Sequence, residues 1–118
     1  MARGKSSKMP PAKYKIDYLP VADRDILDII SYITNELAAP EAASRLLDKI
    51  ELAVERLRGF PYAHSIYPTE IDTRPFEIRA AFVESYVVLY YVIEETVTIA
   101  RVVYGGRDIQ RLLRWMHD

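Results

Sequence analysis

The chain has 118 residues, half of them hydrophobic, no cysteine and a formal net charge of -1. That length supports one domain able to bury roughly two thirds of its unfolded surface, and the missing cysteine excludes disulfides, thiolate catalysis and sulfur-ligated zinc. No apolar run approaches the roughly 20 residues a bilayer crossing needs, so a soluble protein is expected, and the lack of cysteine is compatible with the expected cytoplasmic location.

Residues 1–13 are polar, carry Arg3, Lys5, Lys8 and Lys13 and contain Pro10-Pro11, which reads as a disordered basic tail ahead of a single domain at 14–118. A basic arm touching nucleic acid is the alternative. Setting those four and Lys15 aside leaves 11 cations against 17 anions, so the body is acidic. That balance argues against tight, sequence-independent binding of RNA or DNA.

Tyr14, Ile16 and Tyr18 alternate with Lys15, Asp17 and Leu19, which favours a short strand ended by Pro20. From Val21 the period changes. Ile26, Ile29, Ile30, Ile33 and Leu37 fall at helical spacing, opposite Asp23, Asp28, Ser31, Asn35 and Glu36. Ala38-Ala39 interrupts that pattern, and Pro40 suits the first position of a second helix because its missing N–H would have no partner there. Ala43, Leu46, Leu47, Ile50, Ala53, Val54 and Leu57 form the second stripe. So short a link predicts an antiparallel helical hairpin, closed by Gly59 as C-terminal cap and by Pro61.

FPYAHSIYPTEIDTRP has three prolines and no steady period, so a surface loop is expected. Three strand-like runs follow: FEIRAAFV, YVVLYYVI and TVTIARVVY. Their separators, Glu84-Ser85 and Glu94-Glu95, are short enough that only antiparallel hairpins fit. RDIQRLLRWMHD closes the chain as a short helix, with Asp108 as cap and Ile109, Leu112, Leu113 and Met116 on one side. The order predicts an α+β fold: an N-terminal strand, an antiparallel helical hairpin packed on a mainly antiparallel sheet, and a short C-terminal helix. The hairpin covers one face of the sheet and leaves the other as a working surface.

Arginine and tyrosine dominate the candidate chemistry. Arg79 has the opposite parity to Ile78, Ala80 and Phe82, which directs it away from the helices into the open concavity. Arg101 shares parity with the apolar Val97, Ile99 and Val103, so either that face is not the buried one or the guanidinium snorkels from the sheet edge. Tyr86, Tyr90, Tyr91 and Tyr104 add phenols, which serve either as packing or as groups around a reacting centre. Guanidinium groups match phosphate geometry and stabilise charge building on a scissile phosphodiester; the plain alternative for Arg79, Arg101 and Arg107 is an ion pair. A phenol acts as acid or base only if neighbouring cations pull its pKa down. His64, on the loop, is the alternative base. His64 and His117 are the only histidines and lack metal-motif spacing, so no metal and no cofactor are expected.

Taken together, the strand, the helical hairpin, the FP loop, the arginine-bearing strand, YVVLYYV and above all TIARVVYGGRD resemble the RelE/ParE superfamily of bacterial toxins, from about Tyr14 to Leu113. The resemblance implies the toxin of a type II toxin–antitoxin (plasmid stabilisation) module, neutralised by a cognate antitoxin as a hetero-oligomer, with a homodimer as a further form. It also implies one of two targets. ParE-like members poison DNA gyrase without acting as enzymes, whereas RelE-like members are endoribonucleases that cleave mRNA on the ribosome through basic and aromatic residues. In the second case Arg79, Arg101, Tyr104 and Arg107 would be catalytic, with His64 as candidate base. The stretch from Gly59 to Ile78 has no lysine, and Tyr104 stands where several nucleases have histidine. With the acidic body and the long hairpin, these departures favour the gyrase type.

Overall fold

A computed structural model describes residues 14–69 and 72–114. The basic tail, Met116 and His117 lie outside them. β1 (Lys15–Tyr18) runs directly into α1 (Pro20–Ser31), which continues as a π-helical turn (Tyr32–Glu36); α2 (Pro40–Arg56) returns alongside. After the loop come β2 (Arg79–Val83), β3 (Tyr86–Ile93), β4 (Thr96–Tyr104) and α3 (Ile109–Leu113). The sheet order is β1-β4-β3-β2, with β1 parallel to β4 and the two hairpin pairs antiparallel. The α+β architecture is the expected one.

Proline sets φ for the first turn of each long helix, at Pro20 and Pro40. Between them the helix widens: Leu37 N–H donates to the Tyr32 carbonyl five residues back at 3.1 Å. The extra residue per turn carries Leu37 out of the apolar stripe, so it is 55% exposed where the helical spacing placed it in the core. Ala38 then takes a left-handed φ of 51°, reversing the chain into α2. Gly59 follows the end of α2 as expected of a C-terminal cap but without the left-handed conformation common there, since no glycine among the described residues has positive φ; α2 ends in a tightening turn in which Gly59 N–H and Phe60 N–H both donate to the Arg56 carbonyl.

The hairpin packs Leu46, Ile50, Val54 and Leu57 onto Val88, Tyr90, Val97, Ile99 and Val102. At roughly 1.5–3 kcal/mol per fully buried aliphatic side chain, this layer is a main driving force for folding, largely opposed by conformational entropy. The far face of the sheet is not the open surface the pattern predicted. Ile78, Ala80, Val87, Leu89, Tyr91, Ala100 and Val103 form a second core there, covered by Ile109 and Leu113 of α3, with Phe76 stacked on Tyr91 at 4.2 Å. Phe76 to Ile78 therefore belong to this cover rather than to β2. The outer edge of β2 is shielded too: Tyr67 N–H donates to the Ile78 carbonyl, Ala80 N–H donates to that of Ser65, and Ile66 bridges Arg79.

Candidate functional site

Arg101 resolves its own parity conflict through a β-bulge. The β3–β4 register pairs Tyr90 with Ile99 but Leu89 with Arg101, so Ala100 is an extra residue. Before the bulge Val97 and Ile99 face the helices; after it Val102 does, while Ala100 and Val103 join the second core. The same bulge lies where β1 has ended, so no strand pairs the outer edge of β4 beyond Ile99. α1 passes that edge, and Asp25 takes the place of a strand. Its carboxylate accepts Val102 N–H at 3.0 Å, Arg101 Nε at 2.7 Å and Arg101 Nη2 at 2.9 Å. Arg101 Nη1 donates to the Leu112 carbonyl at 2.9 Å. One 8%-exposed guanidinium thus joins α1, β4 and α3.

Arg79 lies on the hairpin face, not on the far one. Its cross-strand partner is Tyr90 and its strand neighbours Ala81 and Val83 belong to the hairpin core. There its Nη1 donates to the His64 carbonyl at 2.7 Å, its guanidinium sits 5.1 Å from the centre of the Tyr62 ring, and Nη2 is 3.9 Å from Glu77. The fully buried Tyr90 hydroxyl donates to the Pro61 carbonyl at 2.8 Å, and the His64 ring meets Tyr90 edge-on at 6.3 Å. Arg79 and His64 thus fasten the FP loop to the sheet.

Tyr104 and Arg107 lie elsewhere, in an open cleft of about 590 Å³ between the C-terminal half of α1, the end of β4 and α3. Asp28, Tyr32 and Tyr86 complete its walls, and Arg101 reaches its floor. Tyr86 and Tyr104 are directly paired across the strands, with rings 5.8 Å apart and nearly perpendicular. The two glycines that follow Tyr104 have separate reasons. Gly105 N–H donates to the Ser85 carbonyl, against which a Cβ would be tight, and a Cβ on Gly106 would lie 2.6 Å from the Tyr104 ring. Glycine at 106 is what lets that ring fold back beside Tyr86. Asp28 is a contribution that the helical pattern placed on the solvent side, and Tyr32 is one that the pattern did not single out at all; an aromatic beside the polar Ser31 was the only signal for it.

Three of the sheet's phenols, those of Tyr86, Tyr90 and Tyr91, are tuned away from base chemistry. Burial raises the Tyr86 pKa, and the neighbouring Tyr104 and Tyr32 raise it further. Burial likewise raises Tyr90, partly offset by Arg79, and Tyr91. Of the five candidates, then, Arg101, Tyr104 and Arg107 share one cleft, while Arg79 and His64 belong to the loop attachment. Among the described residues no group of three or more histidines or acids converges on a metal-sized site.

A family model described as the ParE toxin of the parDE type II toxin–antitoxin system matches residues 16–109. Among solved structures, a chain of the chromosomal ParDE system from P. aeruginosa superposes with a TM-score of 0.64 at 18% identity, covering 79% of this chain and 97% of that one. A chain of the RelBE2 toxin–antitoxin complex from Mycobacterium tuberculosis superposes at 0.54 and 18% identity, covering 85% and 100%. At that identity these likenesses speak for the fold. No curated protein matches the sequence.

Proposed function

Because the chain belongs to the ParE toxin family of type II toxin–antitoxin systems, we propose that it arrests growth by engaging DNA gyrase, and that a cognate antitoxin holds it inactive. It is a type II toxin in either case; the target is what separates the two readings. The observation that carries the gyrase reading is the state of Arg101. A nuclease needs guanidinium groups free to meet a phosphodiester, and here the group is buried, held along its Nε–Nη2 edge by Asp25 and through Nη1 by the Leu112 carbonyl. Arg79 and His64 sit on a different surface from Tyr104 and Arg107, so no single phosphate can meet them all. The raised pKa of Tyr86 works against a phenolate base beside them.

A protein that acts by binding does not need such a constellation. The antitoxin reading is supported by the two similar solved structures, both from toxin–antitoxin systems. The deciding experiment adds the purified chain to gyrase supercoiling reactions and, in parallel, to a translating extract in which mRNA integrity is followed. Loss of supercoiling with intact message is expected. Ribosome-dependent cleavage of the message, with gyrase unaffected, would reassign the protein to the endoribonuclease branch.

A further inference from the structure

The sheet has one stretch of edge that none of the described residues covers. β1 pairs with β4 alone, and in a parallel ladder alternate residues turn their backbone groups to opposite sides. Lys15 N–H donates to the Glu95 carbonyl and Leu19 N–H to that of Ile99, so Lys15, Asp17 and Leu19 face β4 while Tyr14, Ile16 and Tyr18 face outward. The turn after α2 occupies Tyr14: its N–H donates to the Arg58 carbonyl at 3.4 Å, and its carbonyl accepts Arg58 Nη1 at 3.3 Å. Ile16 and Tyr18 have no such substitute among the described residues. Other edge positions are shielded, by Ser65 to Tyr67 along β2 and by Asp25 on β4 beyond Ile99.

The open positions border a groove of about 290 Å³ lined by Ile16, Tyr18, Glu51, Val54, Glu55 and Arg58. Unpaired N–H and C=O groups two residues apart on a strand edge fit one kind of ligand, an extended polypeptide. The charge of the groove selects among polypeptides. Arg58 is engaged by Glu55 at 2.8 Å, whereas Glu51 and Asp23 have no ion-pair partner among the described residues. The Tyr18 hydroxyl senses that excess: burial raises its pKa first, and Glu51, Asp23 and Glu55 raise it further against the single opposing Arg58. On the other face of β1 the exposed Asp17 has no ion pair either among the described residues.

A segment with the complementary chemistry is attached to the strand itself. The stretch before Tyr14 carries Arg3, Lys5, Lys8 and Lys13 and no acid. At about 3.3 Å per residue it exceeds the length of the four-residue β1 several times over. So short a tether holds it at an effective concentration in roughly the millimolar range. Pro10 and Pro11 cannot donate to a ladder and suit a reversal, which leaves the proline-free residues 3–9 to lie back along β1. Lys5 and Lys8 have opposite parity, so in either register one meets the Glu51 side of the strand and the other the Asp17 side.

We propose that the open edge of β1 is an intramolecular docking site for residues 3–9, which pair antiparallel with Ile16 and Tyr18 and set a lysine against Glu51. The basic tail is then a further strand of the sheet, and any extended partner that uses this edge must displace it. The inference rests on neither the gyrase reading nor the antitoxin, because the free chain alone is measured.

The test is amide hydrogen exchange on the full chain, followed by NMR at several protein concentrations. Ile16 and Tyr18 N–H should exchange about tenfold or more slowly than in the full-length double variant Ser6→Pro, Ser7→Pro, which removes a ladder donor in either register. Asp17 N–H, which faces β4, should be equally protected in both proteins. Glu51→Gln, and separately an ionic strength of about 1 M, should each lower the protection of Ile16 and Tyr18 severalfold. Equal exchange of these two amides in the parent and the proline variant overturns the proposal, and so does indifference to Glu51→Gln. Protection that survives the prolines, or that grows with protein concentration and so assigns the edge to a second copy, overturns it as well.

Discussion

Removing the Asp25 carboxylate should unfold this protein more readily than removing almost any other surface-reaching group. The carboxylate accepts two guanidinium N–H groups of Arg101 and the backbone N–H of Val102, with side chains only 9% and 12% exposed for Arg101 and Asp25. In Asp25→Ala the guanidinium keeps one partner, the Leu112 carbonyl, and Val102 N–H keeps none. Breaking a buried pair from one side costs about 3–5 kcal/mol, at least about a fifth of the roughly 5–15 kcal/mol that holds a domain together. With a urea slope of about 1–3 kcal/mol per molar, the unfolding midpoint should fall by about 1–5 M. Arg101→Ala should cost a similar amount. The pair Asp25→Leu with Arg101→Met should cost less than either single change, about 1–2 kcal/mol, because the charges go together and only Val102 N–H is left unpaired. Singles that each cost under about 1 kcal/mol, or a double that simply adds, would refute the picture of a desolvated knot. The same variants speak to function. If Arg101 acts through folding, the folded double variant stays toxic; a folded but harmless one would give the guanidinium a direct role.

Three further outcomes follow from other parts of the molecule. Tyr90→Phe should cost about 1–2 kcal/mol in urea melts, since it strands the Pro61 carbonyl in a buried setting; a neutral result would mean that water reaches that carbonyl. Glu94→Gly and Ala38→Gly should each raise stability by up to about 1 kcal/mol, because φ values of 54° and 51° cost an L-residue more than glycine's extra unfolded entropy; a loss on both would show that the side chains matter more than the backbone. Burial holds the pKa of Tyr18, Tyr86, Tyr90 and Tyr91 above the ordinary 10.0, so the folded state keeps protons that the unfolded chain releases. Stability should therefore be fully present below pH 10.0 and be lost as pH rises through the higher folded values, more gently in Tyr90→Phe; a flat urea midpoint across that window would contradict it.

The sequence carried the elements far better than it carried the faces. Strand limits at Tyr86–Ile93 and Thr96–Tyr104, the proline start of the second helix and the Asp108 cap were all legible, because each depends on local chemistry, whereas Pro20, read only as the end of the first strand, opens α1. What failed depended on phase. A period-2 argument assumes an unbroken pleat, and one extra residue at Ala100 moved Arg101 to a different side from Ile99. A period-3.6 argument assumes a regular helix, and the π-turn at Tyr32–Glu36 put Leu37 in solvent. Arg79 was assigned to the wrong face for a different reason: both faces of the sheet are buried, so apolar Ala80 and Ala81 could not reveal which one the hairpin covers. Asp25 left no mark at all, since its partner lies 76 residues away.

The two irregularities that defeated the pattern also built the cleft. The bulge anchors the floor by turning Arg101 toward Asp25 and Leu112, and the π-turn places Tyr32 at the wall. Strand ends and π-turns cost some backbone regularity, and such features persist where something beyond packing selects them. The cleft's chemistry therefore separates two tasks that the sequence had merged at its last strand. Arg101 fixes the frame, and the phenols with Asp28 and Arg107 line the cleft that the frame holds open. On that division, substitutions at Arg101 lower stability by several kcal/mol, while Tyr104→Ala, at a half-exposed ring, should cost under about 1.5 kcal/mol in urea melts; a loss as large as that of Arg101→Ala would refute the division.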